Sequence, residues 1–244
     1  MPLKQVEILG VNVNSLTMAQ AVEAVQQFIA EKKVALVATA NAEMLMRSTQ
    51  DEELKDILNQ ADLVVPDGAG TVWAAGHLGE PMPERVAGFD LAQELMREAP
   101  ARGDRIYFFG SAPGVADKAK AKAEELYPGI QVVGTRNGFF TEADEPGIIA
   151  EIKAARPDIL LAALGVPKQE KWLKKHMQEL QVPVSIGVGG TLDVMAGVME
   201  RAPLWMQKAK LEWLFRGLKQ PSRAGRLMAL PRFVLRVMAS KKKK

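Results

Sequence analysis

The sequence contains no cysteine and only two histidines, His77 and His176. The absence of cysteine excludes a disulfide framework and a thiolate metal site, and two histidines are too few for a histidine-rich metal site. The longest apolar run, residues 159–166, is far shorter than the roughly 20 residues of a membrane-spanning helix. The N-terminal sequence MPLKQVEILG has no basic region followed by an apolar run, so we expect no signal peptide.

The charge of the chain is unevenly distributed. From Arg201 onward, 13 Lys and Arg oppose a single acid, Glu212, for a charge of +12, whereas residues 1–200 hold 19 basic and 28 acidic residues, for a charge of −9. A basic tail on an acidic body favours binding to polyanions, either nucleic acid or anionic lipid. The alternative is a solvated helical face that ends in a tag-like segment, Lys241–Lys244.

The chain of 244 residues is 48% hydrophobic, which is enough for one sizeable core or at most two small ones. Short apolar runs alternate with amphipathic segments over the first 200 residues. We predict strands over VEILGV, VALVATA, DLVVPD, RIYFFG, IQVVGT, DILLAALG and VSIGVG. We predict helices over MAQAVEAVQQFIAEKK, DEELKDILNQ, PGVADKAKAKAEELYPG, EADEPGIIAEIKAARP and PKQEKWLKKHMQEL. This alternation predicts an α/β fold, a Rossmann-like, mostly parallel sheet with helices on both faces, whose ligand site lies at the carboxyl ends of the strands.

The pattern changes after Gly190. Two segments, PLWMQKAKLEWLFRGLKQ and RAGRLMALPRFVLRVMA, combine apolar residues at helical spacing with basic residues. Pro221 is predicted to end the first helix and Pro231 to interrupt the second. We therefore predict an α/β body over residues 1–192 and a C-terminal helical basic appendage over 193–244. Such helices suit a membrane surface, the second more than the first, although a helix pair packed on the sheet is the alternative.

Five predicted strands end in small or polar residues. The candidate site residues at these ends are Thr39, Asn41, Asp67, Gly110, Gln169, Gly187, Gly189 and Gly190. In a parallel sheet these ends share one edge, where a ligand can approach backbone N–H groups and helix N-termini that favour anions. The turns FFGSAPG and GVGGT could bind phosphate or merely allow a tight bend, and neither is a Walker motif or a dinucleotide fingerprint.

Asp67, in VVPDGAG, stands apart because a carboxylate repels phosphate. It should face a sugar, an acceptor hydroxyl or a cation, and as a general base it would need a hydroxyl within hydrogen-bond reach. An Asx-type turn or a helix N-cap explains the position equally well. Arg85 suits recognition of a diphosphate or a carboxylate, but from the sequence alone a surface arginine paired with Glu84 is the favoured interpretation.

Several segments together resemble one family. NAEMLM, ADLVVPDGAGTVW, ERVAGFDL, FFGSAPGVADKA, LGVPKQEKW, VGGTLDVMAG and RAPLWMQKAKLEWLFRGLKQPSR occur in the order seen in the WecG/TagA/CpsF glycosyltransferases. The resemblance implies inverting, metal-independent transfer from a UDP-sugar to a polyprenyl-diphosphate-linked sugar, without a cofactor. The first expectation is transfer of N-acetylmannosamine to undecaprenyl-diphosphate-GlcNAc in wall teichoic acid synthesis. The alternatives are UDP-N-acetylmannosaminuronic acid or UDP-glucose as donor, in antigen or capsule assembly.

The resemblance also implies roles for single residues. Asp67 matches the family's proposed catalytic base, Thr39 and Asn41 match polar pocket residues, Arg85 matches an arginine that binds charged groups, and Gln169 matches a polar residue near the donor sugar. Arg216, Arg223 and Arg226 match basic positions of an appendage that docks on the membrane and completes the site. The residues then expected to bind phosphate are Gly110, Gly187, Gly189, Gly190 and the arginines. Gly68 and Gly70 are expected to keep the approach to Asp67 open.

The expected partners are a UDP-sugar, a polyprenyl-diphosphate-linked sugar and an anionic membrane surface, which attracts a basic tail by about 1 kcal/mol per nearby charge. We expect a cytoplasmic protein attached peripherally to the inner face of the cell membrane, and an exposed apolar appendage is compatible with a homo-oligomer. A nucleic-acid-binding protein is the alternative of a different class. We expect no nucleic acid partner, because the tail lacks a readout motif and the body supplies a pocket that such a protein would not need.

Overall fold

The computed structural model of the chain describes residues 3–203, 205–206, 212, 214–215 and 229–241. The strands are β1 Gln5–Ile8, β2 Val11–Asn14, β3 Ala35–Ala40, β4 Leu63–Pro66, β5 Arg105–Gly110, β6 Gln131–Arg136, β7 Ile159–Ala163 and β8 Val184–Gly187. The helices are α1 Met18–Ala30, α2 Ala42–Ser48, α3 Glu52–Gln60, α4 Ala69–His77, α5 Gly88–Arg102, α6 Val115–Leu126, α7 Glu145–Ala155, α8 Lys168–Leu180, α9 Thr191–Met195 and α10 Ala229–Lys241, with a 3₁₀ turn at Glu142–Asp144.

Six strands form one parallel sheet in the order β4-β3-β8-β7-β5-β6. Their alternate side chains enter different cores. One core lies between the sheet and α1, α5, α6 and α9, and the cores on the opposite face involve α2, α3, α4, α7 and α8. Because both faces are covered, β3, β4, β7 and β8 are buried along their whole length, whereas β6 at the edge carries polar, partly exposed residues. The predicted α/β fold with a parallel sheet and helices on both faces is confirmed.

The first predicted strand does not join this sheet. Instead β1 pairs antiparallel with β2, from Gln5 opposite Asn14 to Ile8 opposite Val11. The connecting residues Leu9 and Gly10 have φ values of 52° and 83°, as a two-residue hairpin of the I′ kind requires. The hairpin shields the outer strand of the sheet, since the Asn14 side chain accepts a hydrogen bond from the N–H of Val64 at 2.8 Å.

Helix starts follow local sequence signals closely. Thr17 caps α1 in a reciprocal capping box with Gln20. Asp51 caps α3 by accepting from the N–H of Leu54 at 3.0 Å. The five helices predicted for the body therefore form, with their ends shifted by a few residues.

The last helix, α10, packs on the body and contacts α2 and α4. Phe233 and Val237 on its inner side are fully buried, whereas Leu235 and Met238 on its outer side are 68% and 48% exposed. Pro231 lies inside the helix near its start and does not interrupt it. In the part of the chain that the structure describes, no helix is both long and apolar enough to cross a bilayer.

Candidate active site

The sequence-predicted residues of the body follow five neighbouring strands at their carboxyl ends. Register pairs place Ala40 beside Pro66, Ala162 beside Gly187, and Gly110 beside Ala163. The segments that begin with Asn41 and Asp67 are therefore adjacent, and the loops after β8, β7 and β5 follow along the same edge. The structure thus brings the predicted residues of the body to one edge of the sheet.

Asp67 directly follows β4 and is partly exposed. Its backbone N–H donates to the carbonyl oxygens of Ala40 at 2.9 Å and Val65 at 3.0 Å, which fixes its main chain between β3 and β4. The N-cap of α4 is Gly68, and no side chain caps this helix. The N-cap position belongs to Gly68, so the N-cap interpretation of Asp67 is wrong.

The two glycines after Asp67 differ in their surroundings. Gly68 has φ +102°, where any other residue would be strained. A Cβ atom at position 70 would lie 3.2 Å from Leu230 Cδ1 and 3.7 Å from Phe233 Cε1. The space beside Gly70 is thus filled by α10, and the prediction that Gly70 keeps the approach to Asp67 open is wrong.

Thr39 and Asn41 both make structural hydrogen bonds. The buried Thr39 hydroxyl donates to the carbonyl oxygen of Gly187 at 2.9 Å and so ties β3 to the end of β8. Asn41 caps α2, because its Oδ1 accepts from the N–H of Met44 at 3.0 Å. These bonds orient the turn that runs from β3 into α2 beside Asp67.

Arg85 belongs to a cluster of four charged side chains that joins the body to the C-terminal segment. It forms an ion pair with Glu212 and lies 3.8 Å from Asp90, measured from Nη2 to Oδ2. Arg201 makes two contacts with Asp90, at 2.7 and 2.9 Å, and its Nε lies 3.7 Å from Glu212 Oε1. Arg85 therefore does not pair with Glu84, whose carboxylate accepts from the N–H of Met18.

The charge state of Arg85 reflects its surroundings. Burial alone would lower its pKa, but the hydrogen bond and charge of Glu212, followed by the charges of Asp67 and Asp90, raise the pKa above its usual value. Arg85 is thus a fixed cation whose field reaches Asp67. Sequence reasoning missed Arg201, which shares Asp90 and Glu212 with Arg85, although RAP was part of one of the family-like segments.

Gly110 is explained by strand packing. Its φ is +130°, and a Cβ atom there would lie 2.4 Å from the backbone carbonyl of Ala163 on β7. The next residue, Ser111, uses its N–H to donate to Ala163 O at 2.9 Å and its hydroxyl to donate to Asp193 Oδ2 at 3.1 Å. The absence of a side chain at Gly110 therefore lets β5 and β7 approach each other closely at the turn for which phosphate binding was predicted.

Gln169 at the start of α8 connects the loops after β7 and β8. Its Oε1 accepts from the N–H groups of Gly165 and Gly189, both at 3.1 Å, and its Nε2 donates to Glu170 Oε1 at 2.7 Å. A Cβ atom at Gly187 would lie 2.6 Å from Gln169 Nε2. The Gly189 N–H, predicted to bind phosphate, is therefore already used, whereas Gly190 stands at the N-cap of α9 without a side-chain cap.

Some predictions cannot be placed in this geometry. Arg216, Arg223 and Arg226 lie outside the described residues. Within the described residues, no group of three or more His, Asp and Glu side chains is arranged to hold a metal ion.

Comparison with known proteins identifies the family of the chain. The family described as "Glycosyl transferase WecG/TagA/CpsF family" matches residues 6–244. The chain belongs to this family. The WecG/TagA/CpsF resemblance inferred from the motifs is thereby confirmed, and the protein is a glycosyltransferase.

Curated members of the WecG/TagA/CpsF family include proteins from three strains of Staphylococcus aureus: MW2, NCTC 8325 / PS 47 and MRSA252. Each is named N-acetylglucosaminyldiphosphoundecaprenol N-acetyl-beta-D-mannosaminyltransferase. Each is 32% identical to this chain over 241 residues, which is 98% of this chain and 94% of the relative. The similarity therefore includes both the sheet edge and the C-terminal segment.

Proposed function

We propose that this protein transfers N-acetylmannosamine from UDP-N-acetylmannosamine to GlcNAc-diphosphoundecaprenol in the synthesis of wall teichoic acid or a related surface polysaccharide. The observation that carries the proposal is the match to named N-acetylmannosaminyltransferases over 98% of this chain. The reaction inverts the anomeric carbon and needs neither a metal nor another cofactor. UDP-N-acetylmannosaminuronic acid and UDP-glucose are the alternative donors.

Asp67 is the base in this mechanism. Its carboxylate accepts the proton of the acceptor's GlcNAc hydroxyl while that oxygen forms a bond to the anomeric carbon of the donor. The bond between this carbon and the diphosphate oxygen breaks, and UDP leaves with the electron pair. Attack from the side opposite the leaving group inverts the configuration, and one carboxylate suffices for a single displacement.

Arg85 supports the departure of UDP. A guanidinium group can stabilise the negative charge that develops on the diphosphate, and it does so more strongly in a partly buried site than in water. Only 24% of the Arg85 side chain is exposed, and it is paired with Glu212. A diphosphate bound here would share Arg85 with Glu212 or displace it.

The membrane is the proposed location of the reaction, because the proposed acceptor is a membrane lipid. The outer side of α10 presents the exposed apolar residues Leu235 and Met238 beside the exposed bases Arg232 and Arg236. A mixed apolar and basic face suits an anionic bilayer surface. We propose that α10 contacts the cytoplasmic face of the membrane while its inner side remains on the body.

A donor screen tests the reaction. Purified full-length protein is incubated with a short-chain lipid-diphosphate GlcNAc acceptor and each of the three UDP-sugars, with and without EDTA. We expect UDP release and a β-linked product with UDP-N-acetylmannosamine only, unchanged by EDTA. Transfer from a different donor alone would overturn the proposed substrate, loss of activity in EDTA would overturn metal independence, and no transfer from any donor would overturn the activity.

Asp67→Asn tests the assignment of the base. We expect turnover to fall by about 100-fold or more, because general-base catalysis contributes on this scale, while UDP affinity measured by calorimetry is retained. Asp56→Asn, at an exposed position of α3, is the matched control and should behave as the wild type. Wild-type turnover of Asp67→Asn would refute the role of Asp67.

A further inference from the structure

Glu170 forms the buried end of a hydrogen-bond chain at the edge of the sheet. It is 1% exposed, as is the neighbouring Gln169. One carboxyl oxygen, Oε1, accepts from Gln169 Nε2 at 2.7 Å, whereas the other, Oε2, is buried without a hydrogen-bond partner. A carboxylate in this position would keep the charged Oε2 out of water without a hydrogen bond, which is more costly than burying a neutral acid.

The chain continues from Glu170 through Gln169 to two loops. Gln169 Oε1 accepts from Gly165, in the loop after β7, and from Gly189, in the loop after β8. A Cβ atom at Gly187 would lie 3.0 Å from Glu170 Oε1, so both side chains lie flat against the end of β8. Since Gly187 O accepts from Thr39, the ends of β3, β8 and β7 are joined by one continuous set of contacts.

We propose that Glu170 is a positioning residue that works as a neutral acid, holding the Gln169 carboxamide so that Gln169 sets the spacing of the loops after β7 and β8. The neutral acid leaves the Gln169 amide in the orientation that both glycine N–H groups require. An ionised Glu170 would draw water or a cation toward Oε2 and loosen this arrangement. The inference rests on the proposed function only in assigning these loops to the sugar-nucleotide site.

The electrostatic surroundings agree with this geometry. Burial raises the pKa of Glu170 to about 7, against the smaller lowering effects of the hydrogen bond from Gln169, its backbone hydrogen bond and the charge of Arg47 on α2. Arg47 also reaches Val166 O at 3.5 Å, in the loop before α8. Glu170 therefore loses its proton near neutral pH. At one pH unit above the pKa, about nine-tenths of the molecules are ionised at this position.

The test compares wild type with Glu170→Gln and Glu170→Ala. Glutamine reproduces the shape and hydrogen-bonding of the neutral acid but cannot ionise. Protection of the Gly165 and Gly189 amides against hydrogen exchange is measured by NMR from pH 6 to pH 9, and kcat and KM for the donor are measured over the same range. Glu179→Gln, at an exposed position of the same helix, is the control for a change of charge.

We expect the two protection factors of the wild type to fall about tenfold between pH 6 and pH 8, those of Glu170→Gln to stay constant, and those of Glu170→Ala to be low throughout. The donor KM should rise with pH in the wild type and stay level in Glu170→Gln. Protection factors that are independent of pH in the wild type, or a Glu170→Gln variant as poorly protected as Glu170→Ala, would overturn the inference. Hydrogen exchange needs no substrate, so this result stands even if the protein transfers no sugar.

Discussion

Replacing Phe233 by alanine should release α10 from the body without unfolding the sheet. Phe233 is fully buried against α2 and α4, and its ring lies next to the backbone of Gly70, two residues before the end of the first turn of α4. Truncation of a buried Phe to Ala costs about 3–5 kcal/mol. Because Phe233 lies on α10, the substitution reduces the free energy that holds this terminal helix on the body and leaves the central sheet unaffected.

A loss of this size changes the population of the undocked helix greatly. Because each 1.4 kcal/mol is a factor of ten, 3–5 kcal/mol raises the ratio of undocked to docked helix by about a hundredfold to a few thousandfold. Terminal elements open with smaller free energies than the core. The variant should therefore populate the undocked state strongly under conditions in which the wild type does not.

Hydrogen exchange measured by mass spectrometry distinguishes local from global opening. Peptides within residues 230–241 should exchange fast in Phe233→Ala, while peptides from β3, β7 and β8 remain protected and the urea midpoint of the body changes little. Leu235→Ala is the matched control on the same helix, since Leu235 is 68% exposed, and it should exchange as the wild type does. Unchanged exchange of α10 in Phe233→Ala, or simultaneous loss of protection in the sheet, would refute the docking argument.

Three further predictions follow from single residues. In urea titrations, Glu170→Gln should have the same unfolding free energy as the wild type below pH 4.5 and a higher one, by up to about 3 kcal/mol, at pH 8. The reason is that the pKa of Glu170 is raised from 4.5 to about 7, so the native wild type loses stability as the pH rises through this interval. A difference that does not change with pH would contradict the pKa shift. Gly110→Ala should be largely unfolded and show little or no cooperative transition in thermal denaturation, because its Cβ would lie 2.4 Å from the backbone of Ala163. A wild-type melting temperature would contradict this prediction. Leu235→Asp should weaken binding to anionic vesicles about tenfold or more, whereas Leu126→Asp, exposed on α6, should not; equal losses would contradict a membrane-facing α10.

The parallel sheet could be predicted because strands buried on both faces are apolar throughout, as in residues 159–163. The hairpin strand β2 could not, because VNVN alternates polar and apolar residues over only four positions and its partner β1 resembled a strand of the main sheet. Local propensity is informative within an element, but it does not say which sheet an element joins.

The residue types at the site could also be predicted, but their partners could not. Whether a glycine serves a ligand or a neighbouring element depends on atoms far away in the sequence, as for Gly110 beside Ala163 and Gly70 beside Phe233. The partner of Arg85 is 127 residues away, so the adjacent Glu84 was the natural but wrong choice. Spacing alone cannot reveal contacts that only the tertiary fold creates.

The central position of β8 has a consequence for synthesis on the ribosome. β8 is the last strand of the described sheet in chain order, yet it lies between β3 and β7. Until Gly187 has emerged, β3–β4 and β5–β6–β7 are separate sheets, each with an unpaired edge that can recruit other chains. The bonds from Thr39 to Gly187 and from Gly189 to Gln169 both need β8 in place, so neither can form before β8 is made. A nascent chain therefore cannot complete the six-stranded sheet, or the edge that holds the candidate site, until β8 has been synthesised.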